Sequence, residues 1–237
     1  MLTLAMPTEA TEPESVAEAA LLAARSGADL LLLPLHGERA AEPCDGPLAA
    51  GMGERAGEAR IAILFTYAEA CSGNTHLALQ LVQADGRATA NCRAAHLSKA
   101  ALQAGWRPGD WLTIALLGGL RVGLMGGLDP LAPEVGRALS ALGAELLVGA
   151  LVGSPACPEE ALQALATVRA LENGAAVCLF GGPGSCAVAN ADGRPAERAM
   201  QAGLSLFRVH AGERHGTVAR RPELYRRLQM AADTVVE

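Results

Sequence analysis

The chain has 237 residues, of which 51% are hydrophobic but only 3% aromatic, and a net charge of −6. That length suits one large domain or two small ones, with a core built from Ala, Leu and Val. The acidic balance and scattered Arg residues argue against a nucleic-acid surface, and no apolar run approaches a membrane span of about 18 to 20 residues.

Leu2 to Met6 is a short strand, followed by a polar, Pro-broken loop to Glu14. Ser15 stands at the N-cap of a helix with Glu18 at capping-box spacing, and the helix stops at Gly27. Ala28 to Leu35 is apolar but for Asp29, which suits a strand covered on both faces. Residues 36–60 are rich in Gly, Pro and charge and read as a loop or a short irregular helix. Arg60 to Ala68 is the next strand. His76 to Gln83 and Ala88 to Leu97 pair across Asp85-Gly86. A polar stretch from Ser98 to Asp110 contains Trp106 and a turn. Trp111 to Leu117 and Leu120 to Met125 form a second hairpin through Gly118-Gly119.

Pro133 opens a helix that runs to Gly143, and Ala144 to Val152 is another covered strand. A helix from Pro158 to about Gly174 carries Leu162, Leu165 and Val168 on one face. Ala175 to Phe180 and Ser185 to Asn190 are paired strands, and Leu204 to His210 is the last one. Ala219 to Glu237 is basic and then apolar, and suits packing on a partner. No linker divides the chain, so residues 1–237 are read as one domain. Gly27-Ala28-Asp29-Leu30-Leu31 and Gly143-Ala144-Glu145-Leu146-Leu147 are alike, each joining a helix to a strand. They hint at two similar halves, with two sheets face to face and helices outside, although a single doubly wound sheet also fits the periodicity.

The six cysteines, Cys44, Cys71, Cys92, Cys157, Cys178 and Cys186, lack a CxxC pair or a His partner at ligand spacing. They read as reduced core residues. The five His lack metal spacing, and the Gly-rich run at 181–186 is neither a nucleophile elbow nor a phosphate loop, so no metal or cofactor is expected. The first residues, MLTLAMPTEATEPES, have no basic n-region, so a cytoplasmic protein without a signal peptide is expected. Of the 19 basic residues only Lys99 is a lysine, which reads as compositional drift or as a site that needs a point-charge amine.

The stretch LRVGLMGGLDPLAPE at 120–134 is an apolar strand, a Gly-Gly corner, an Asp and a Pro-Glu that opens a helix. It resembles the nitrilase, or carbon–nitrogen hydrolase, superfamily, where such a strand ends at a nucleophilic cysteine. Gly123, Asp129, Pro133 and Glu134 match. Five further pieces are similar in the same order: Gly27-Ala28-Asp29 to Pro34; Tyr67 to Glu69 with the hairpin ending in His96-Leu97; Arg169-Ala170-Leu171-Glu172-Asn173; Gly184-Ser185 with Asp192-Gly193; and Arg220-Arg221-Pro222-Glu223-Leu224-Tyr225. The resemblance implies a four-layer αββα sandwich with mixed sheets, pairing of two copies into a homodimer or larger homo-oligomer, and a small amide or amino-acid-like ligand.

It also implies a Glu-Lys-Cys triad, because a thiolate must attack, a carboxylate must move the proton and an ammonium must hold the oxyanion. Position by position, the base falls on Leu35, the lysine on Ala94 and the nucleophile on Gly127. No aliphatic side chain can fill those roles. The expected protein is therefore a pseudoenzyme that binds or regulates. The alternative is an active amidase or N-carbamoylase that uses relocated Glu38, Lys99 and Cys157. Glu38 is ordinarily a solvated loop acid and Cys157 a helix-cap or buried thiol. Tyr67, Glu69, His96, Asp129 and Glu134 are candidates to line the pocket.

Overall fold

The computed structural model describes residues 1–10, 15–34, 40–152, 157–182 and 184–211. Leu35, Glu38 and the Arg220–Tyr225 motif lie outside the described residues. In chain order the elements are β1 (Leu2–Pro7), α1 (Val16–Arg25), β2 (Leu30–Leu33), α2 (Pro47–Ala59), β3 (Ala62–Cys71), β4 (Asn74–Val82), β5 (Ala88–Arg93) and α3 (Lys99–Gln103). Then follow β6 (Thr113–Leu117), β7 (Leu120–Gly126), α4 (Pro133–Ala141), β8 (Leu146–Ala150), α5 (Glu159–Asn173), β9 (Ala176–Phe180), β10 (Cys186–Ala189), β11 (Glu197–Gln201) and β12 (Leu204–Val209).

Two mixed sheets result, one ordered β11-β12-β1-β2-β3-β4-β5 and the other β10-β9-β8-β7-β6. Their inner faces meet in one apolar core, with Leu4, Leu32, Leu64 and Leu79 from the first sheet and Leu124, Val148, Cys178 and Phe180 from the second. A second core lies between the first sheet and α1 and α2, and includes Ala20, Met52 and Phe65. A third lies between the second sheet and α4 and α5, and includes Leu139, Leu147 and Ala166. Helix, sheet, sheet and helix thus form four layers. No helix among the described residues is long and apolar enough to cross a membrane.

The two halves are alike in detail. β1, β2 and β3 are parallel neighbours, as are β7, β8 and β9. In each half an acid follows a helix and clamps the preceding strand. Thr3 N–H donates to Asp29 Oδ2 at 2.7 Å, and Arg121 N–H donates to Glu145 Oε2 at 3.0 Å. Each acid's own N–H returns a bond, Asp29 to Thr3 O and Glu145 to Arg121 O. The similar Gly-Ala-acid pieces therefore do the same mechanical job.

Three expectations are corrected, and one strand, β11, is added. Residues 47–59 form a regular helix, α2. Its glycines serve close approach: a Cβ on Gly53 would lie 2.6 Å from Gly86 O, so the β4–β5 turn sits directly on the helix. The exposed strand β11 has no alternating apolar pattern and is held by backbone pairing with β12. On α5 the buried face runs through Leu162, Ala166, Arg169, Ala170 and Asn173, whereas Val168 is 51% exposed. Ser15 precedes α1 but makes no capping hydrogen bond.

Candidate functional site

β7 delivers the chain to a corner at Gly126-Gly127. Both residues are buried because β4 and the end of β5 press on them. A Cβ on Gly126 would lie 2.8 Å from Leu79 Cδ1. Gly127 adopts φ +56°, and a Cβ there would lie 2.7 Å from His96 O, 3.1 Å from Ala94 Cβ and 3.3 Å from Leu77 Cδ2. Only glycine takes this left-handed backbone without steric cost. Ala94 is itself buried, and its backbone is fixed by Ala94 N–H to Leu77 O and Gly109 N–H to Ala94 O, both 2.8 Å. The structure therefore brings two of the three sequence-designated positions, Ala94 and Gly127, into contact distance.

Asp129 locks the corner. Its buried carboxylate accepts from Gly126 N–H at 3.0 Å, His96 N–H at 2.8 Å and Ala95 N–H at 3.1 Å. The His96 ring nitrogen Nδ1 lies 2.8 Å from the same carboxylate, with its side chain 51% exposed. Leu128 N–H donates to His96 O at 2.9 Å. From the other side, buried Arg169 donates to Pro130 O and Leu131 O, and pairs with Glu172 at 2.9 Å. The Arg169–Asn173 motif thus braces the loop that follows the corner. Asp129 and Arg169 are both engaged in structure.

Tyr67 and Glu69 belong to a separate network on the helix-covered side of the first sheet. Glu69 takes a two-pronged pair from Arg93, each contact 2.7 Å, and a bond from Asn91 Nδ2 at 2.9 Å. Tyr67 OH donates to Asn91 Oδ1 at 2.9 Å. Burial would raise the Glu69 pKa, but the Arg93 and Asn91 bonds outweigh it and hold the carboxyl below its usual range. Burial, then the Glu69 charge, drives the Tyr67 pKa far up, so the phenol stays a donor.

A cavity of about 120 Å³ opens beside Gly127. Leu77, Leu97, Ala101, Trp106 and Val152 line it with Gly127, and Ser98 is the polar member among the described residues. Ser98 Oγ already accepts from Ala101 N–H at 3.2 Å as the cap of α3. Tyr67, Glu69, His96, Asp129 and Glu134 do not line this cavity, and Glu134 is exposed on the first turn of α4. Lys99 is exposed at the start of α3. Cys157 packs against the core between the second sheet and its helices. Neither lines the cavity.

The cysteine nearest in sequence to the Ala94 position is Cys92, and burial, then the Asp129 charge, pushes its thiol up to about 12. At neutral pH it is no nucleophile. No group of three or more His, Cys, Asp or Glu side chains that could hold a metal occurs among the described residues. The lining residues Leu77, Leu97, Ala101 and Val152 carried no signal in the sequence, because three separate stretches supply them. Trp106, a lone large ring in a polar stretch, was the one readable hint.

Two facing mixed sheets with helices on both outsides, and a strand that ends at a braced glycine corner, define a nitrilase-type sandwich. The family model described as Carbon-nitrogen hydrolase matches residues 13–206. The chain belongs to the carbon–nitrogen hydrolase family, within the nitrilase superfamily. Among solved structures it is similar to an amidase from Nesterenkonia sp., with a TM-score of 0.77 at 22% identity, covering 96% of each chain. The same amidase as a double mutant in complex with acrylamide matches at TM-score 0.77 and 21% identity, over 96% of this chain and 97% of that one. A further form carries the acetamide moiety of fluoroacetamide on its active-site cysteine, at TM-score 0.77, 21% identity and the same coverage. No curated protein matches the sequence significantly.

Proposed function

We propose that this chain is a carbon–nitrogen hydrolase-family protein that has lost the usual amide and nitrile hydrolysis and acts by binding. One observation carries the reading. Where the family pattern sets an amine and a sulfur together, Ala94 and Gly127 abut, and a Cβ at 127 would press on His96 O at 2.7 Å. A methyl group and a hydrogen can neither attack a carbonyl carbon nor hold an oxyanion. The third family position, Leu35, is aliphatic in sequence. The relocated set Glu38, Lys99 and Cys157 gains no support from an exposed Lys99 and a Cys157 packed into the outer core. Catalysis by proximity needs reacting groups within about 3–3.5 Å of one another.

Covalent trapping tests this. A mutant form of the similar amidase carries the acetamide moiety of fluoroacetamide on its active-site cysteine. The expected result here is an intact mass unchanged after the same exposure. A single acetamide adduct mapping to Cys157, and lost together with amide turnover in Cys157→Ala, would reverse the reading. Pairing into a homodimer belongs to the same proposal, and exposed Leu142, Val168 and Leu171 on and beside α4 and α5 offer it apolar surface. Light scattering that gave the mass of one chain at micromolar concentration would remove that part.

A further inference from the structure

We infer that the cavity beside Gly127 receives a small uncharged apolar molecule, of the order of one substituted benzene ring, in preference to an amide. The inference rests on the reading above that the corner no longer carries hydrolytic groups.

Size is the first argument. The cavity holds about 120 Å³. An apolar cavity of about 150 Å³ lined by leucine-like side chains stays dry and takes up benzene or xenon. The space is of that order, which matches the scale of a single ring rather than of a whole peptide or sugar. Lining chemistry is the second argument. Leu77, Leu97, Ala101, Trp106 and Val152 are all apolar at the surfaces they can offer, and no charged side chain lines the space among the described residues. An amide brings two N–H donors and a carbonyl acceptor. Ser98 is the one polar side chain that could answer them; its oxygen already accepts the Ala101 N–H, so a single hydroxyl is left to meet three demands. His96 O, which presses on Gly127, already accepts the Leu128 N–H, and His96 does not line the cavity. Unpaired amide groups in an apolar site are penalised. An aromatic ring makes no such demand, gains by leaving water, and can pack edge-on or offset against the Trp106 indole.

The cavity also explains what the lost side chains leave behind. Lysine and cysteine at positions 94 and 127 would bring an ammonium and a thiol to this corner. Alanine and glycine leave it apolar, with Ala94 N–H and Gly109 N–H tying β5's end to its neighbours. Of these two positions Gly127 lines the cavity, which is apolar where a thiol would stand.

The experiment uses the full chain. Its two tryptophans are Trp106 and Trp111, and Trp111 is 83% exposed. Trp111→Phe leaves Trp106 as the sole indole reporter. Iodobenzene is the probe, because its heavy atom quenches indole emission on contact. The expected result is saturable quenching of Trp106 together with a rise in the thermal transition. Acetamide and butyramide should compete at least tenfold more weakly than benzene. Ala101→Leu fills the pocket from α3 and should weaken iodobenzene at least tenfold. Should that variant fail to fold, Val152→Leu fills it from the end of β8 with the same expected loss.

Absence of saturable quenching, quenching that survives both filling variants, or amides that compete as well as benzene would each overturn the ligand class. Turnover of amides is a separate outcome: it would overturn the loss of hydrolysis, whatever iodobenzene does. No quenching and no turnover together would overturn only the ligand class.

Discussion

Asp129→Ala is the perturbation that bears most on how the corner is held. The carboxylate is buried and accepts from three backbone N–H groups, of Gly126, Ala95 and His96, besides the half-exposed His96 ring. A hydrogen bond to a charged group contributes about 1.5–3 kcal/mol net, and a buried N–H left unpaired costs about 1–3 kcal/mol. Water reaching the truncated site would answer part of that demand, so the low ends apply to two of the three bonds. The His96 ring adds little because it is half in water. The expected loss is about 4 kcal/mol. For a chain of this length each 1 kcal/mol moves Tm by about 2–4 °C, so Tm should fall by roughly 8–16 °C. Asp129→Asn keeps one acceptor oxygen but turns an NH₂ toward donors, and should lose about 3 kcal/mol. Urea unfolding followed by circular dichroism, with the m-value checked for constancy, measures both. A loss below about 1 kcal/mol for Asp129→Ala would refute the claim that this carboxylate pins β7 to the end of β5.

Three further outcomes are expected. Gly127→Ala should lose about 2–3 kcal/mol in the same unfolding assay, because it combines φ +56° with a Cβ 2.7 Å from His96 O; a neutral result would mean the corner has room for a side chain. Glu69 has a native pKa below its ordinary value, so its contribution is complete above the unfolded value of about 4.3 and fades as pH falls through the lowered native one. Glu69→Gln should therefore flatten the acid limb of the stability–pH curve, and an unchanged limb would contradict that sign. Arg169→Met removes the bonds to Pro130 O and Leu131 O and the Glu172 pair, and should lower stability by about 2–3 kcal/mol by thermal melt, with less than about 0.5 kcal/mol counting against the brace.

The apolar strands were legible because a covered strand needs an unbroken hydrophobic run, as Leu30–Leu33 and Leu146–Ala150 display. The Gly118-Gly119 hairpin was legible for its turn chemistry; both glycines have positive φ. What stayed hidden followed from contacts that periodicity does not encode. Gly51, Gly53 and Gly57 made α2 look like a loop, yet Gly53 is glycine because the Gly86 backbone touches it. β11 is exposed along its length and exists through its neighbour's backbone. Arg169 is buried on α5 because two carbonyls 38 and 39 residues away receive it, so the helix face was rotated in the sequence reading. Ala94 and Gly127 could be named from motif register alone. The cavity beside them could not, since Leu77, Leu97, Trp106 and Val152 meet only after both sheets have formed. Tyr67 and Glu69 were readable as polar strand residues, but their partners Asn91 and Arg93 come from β5, two strands across the sheet.

The most direct measurement is steady-state hydrolysis by the purified full chain, across acetamide, butyramide, a short aliphatic nitrile and an N-carbamoyl amino acid, read as released ammonia. With an alanine and a glycine where an amine and a sulfur would meet, no product should form above the rate in buffer. Release at an ordinary enzyme turnover of about 1–10³ s⁻¹, abolished by Lys99→Met or Cys157→Ala, would contradict the account.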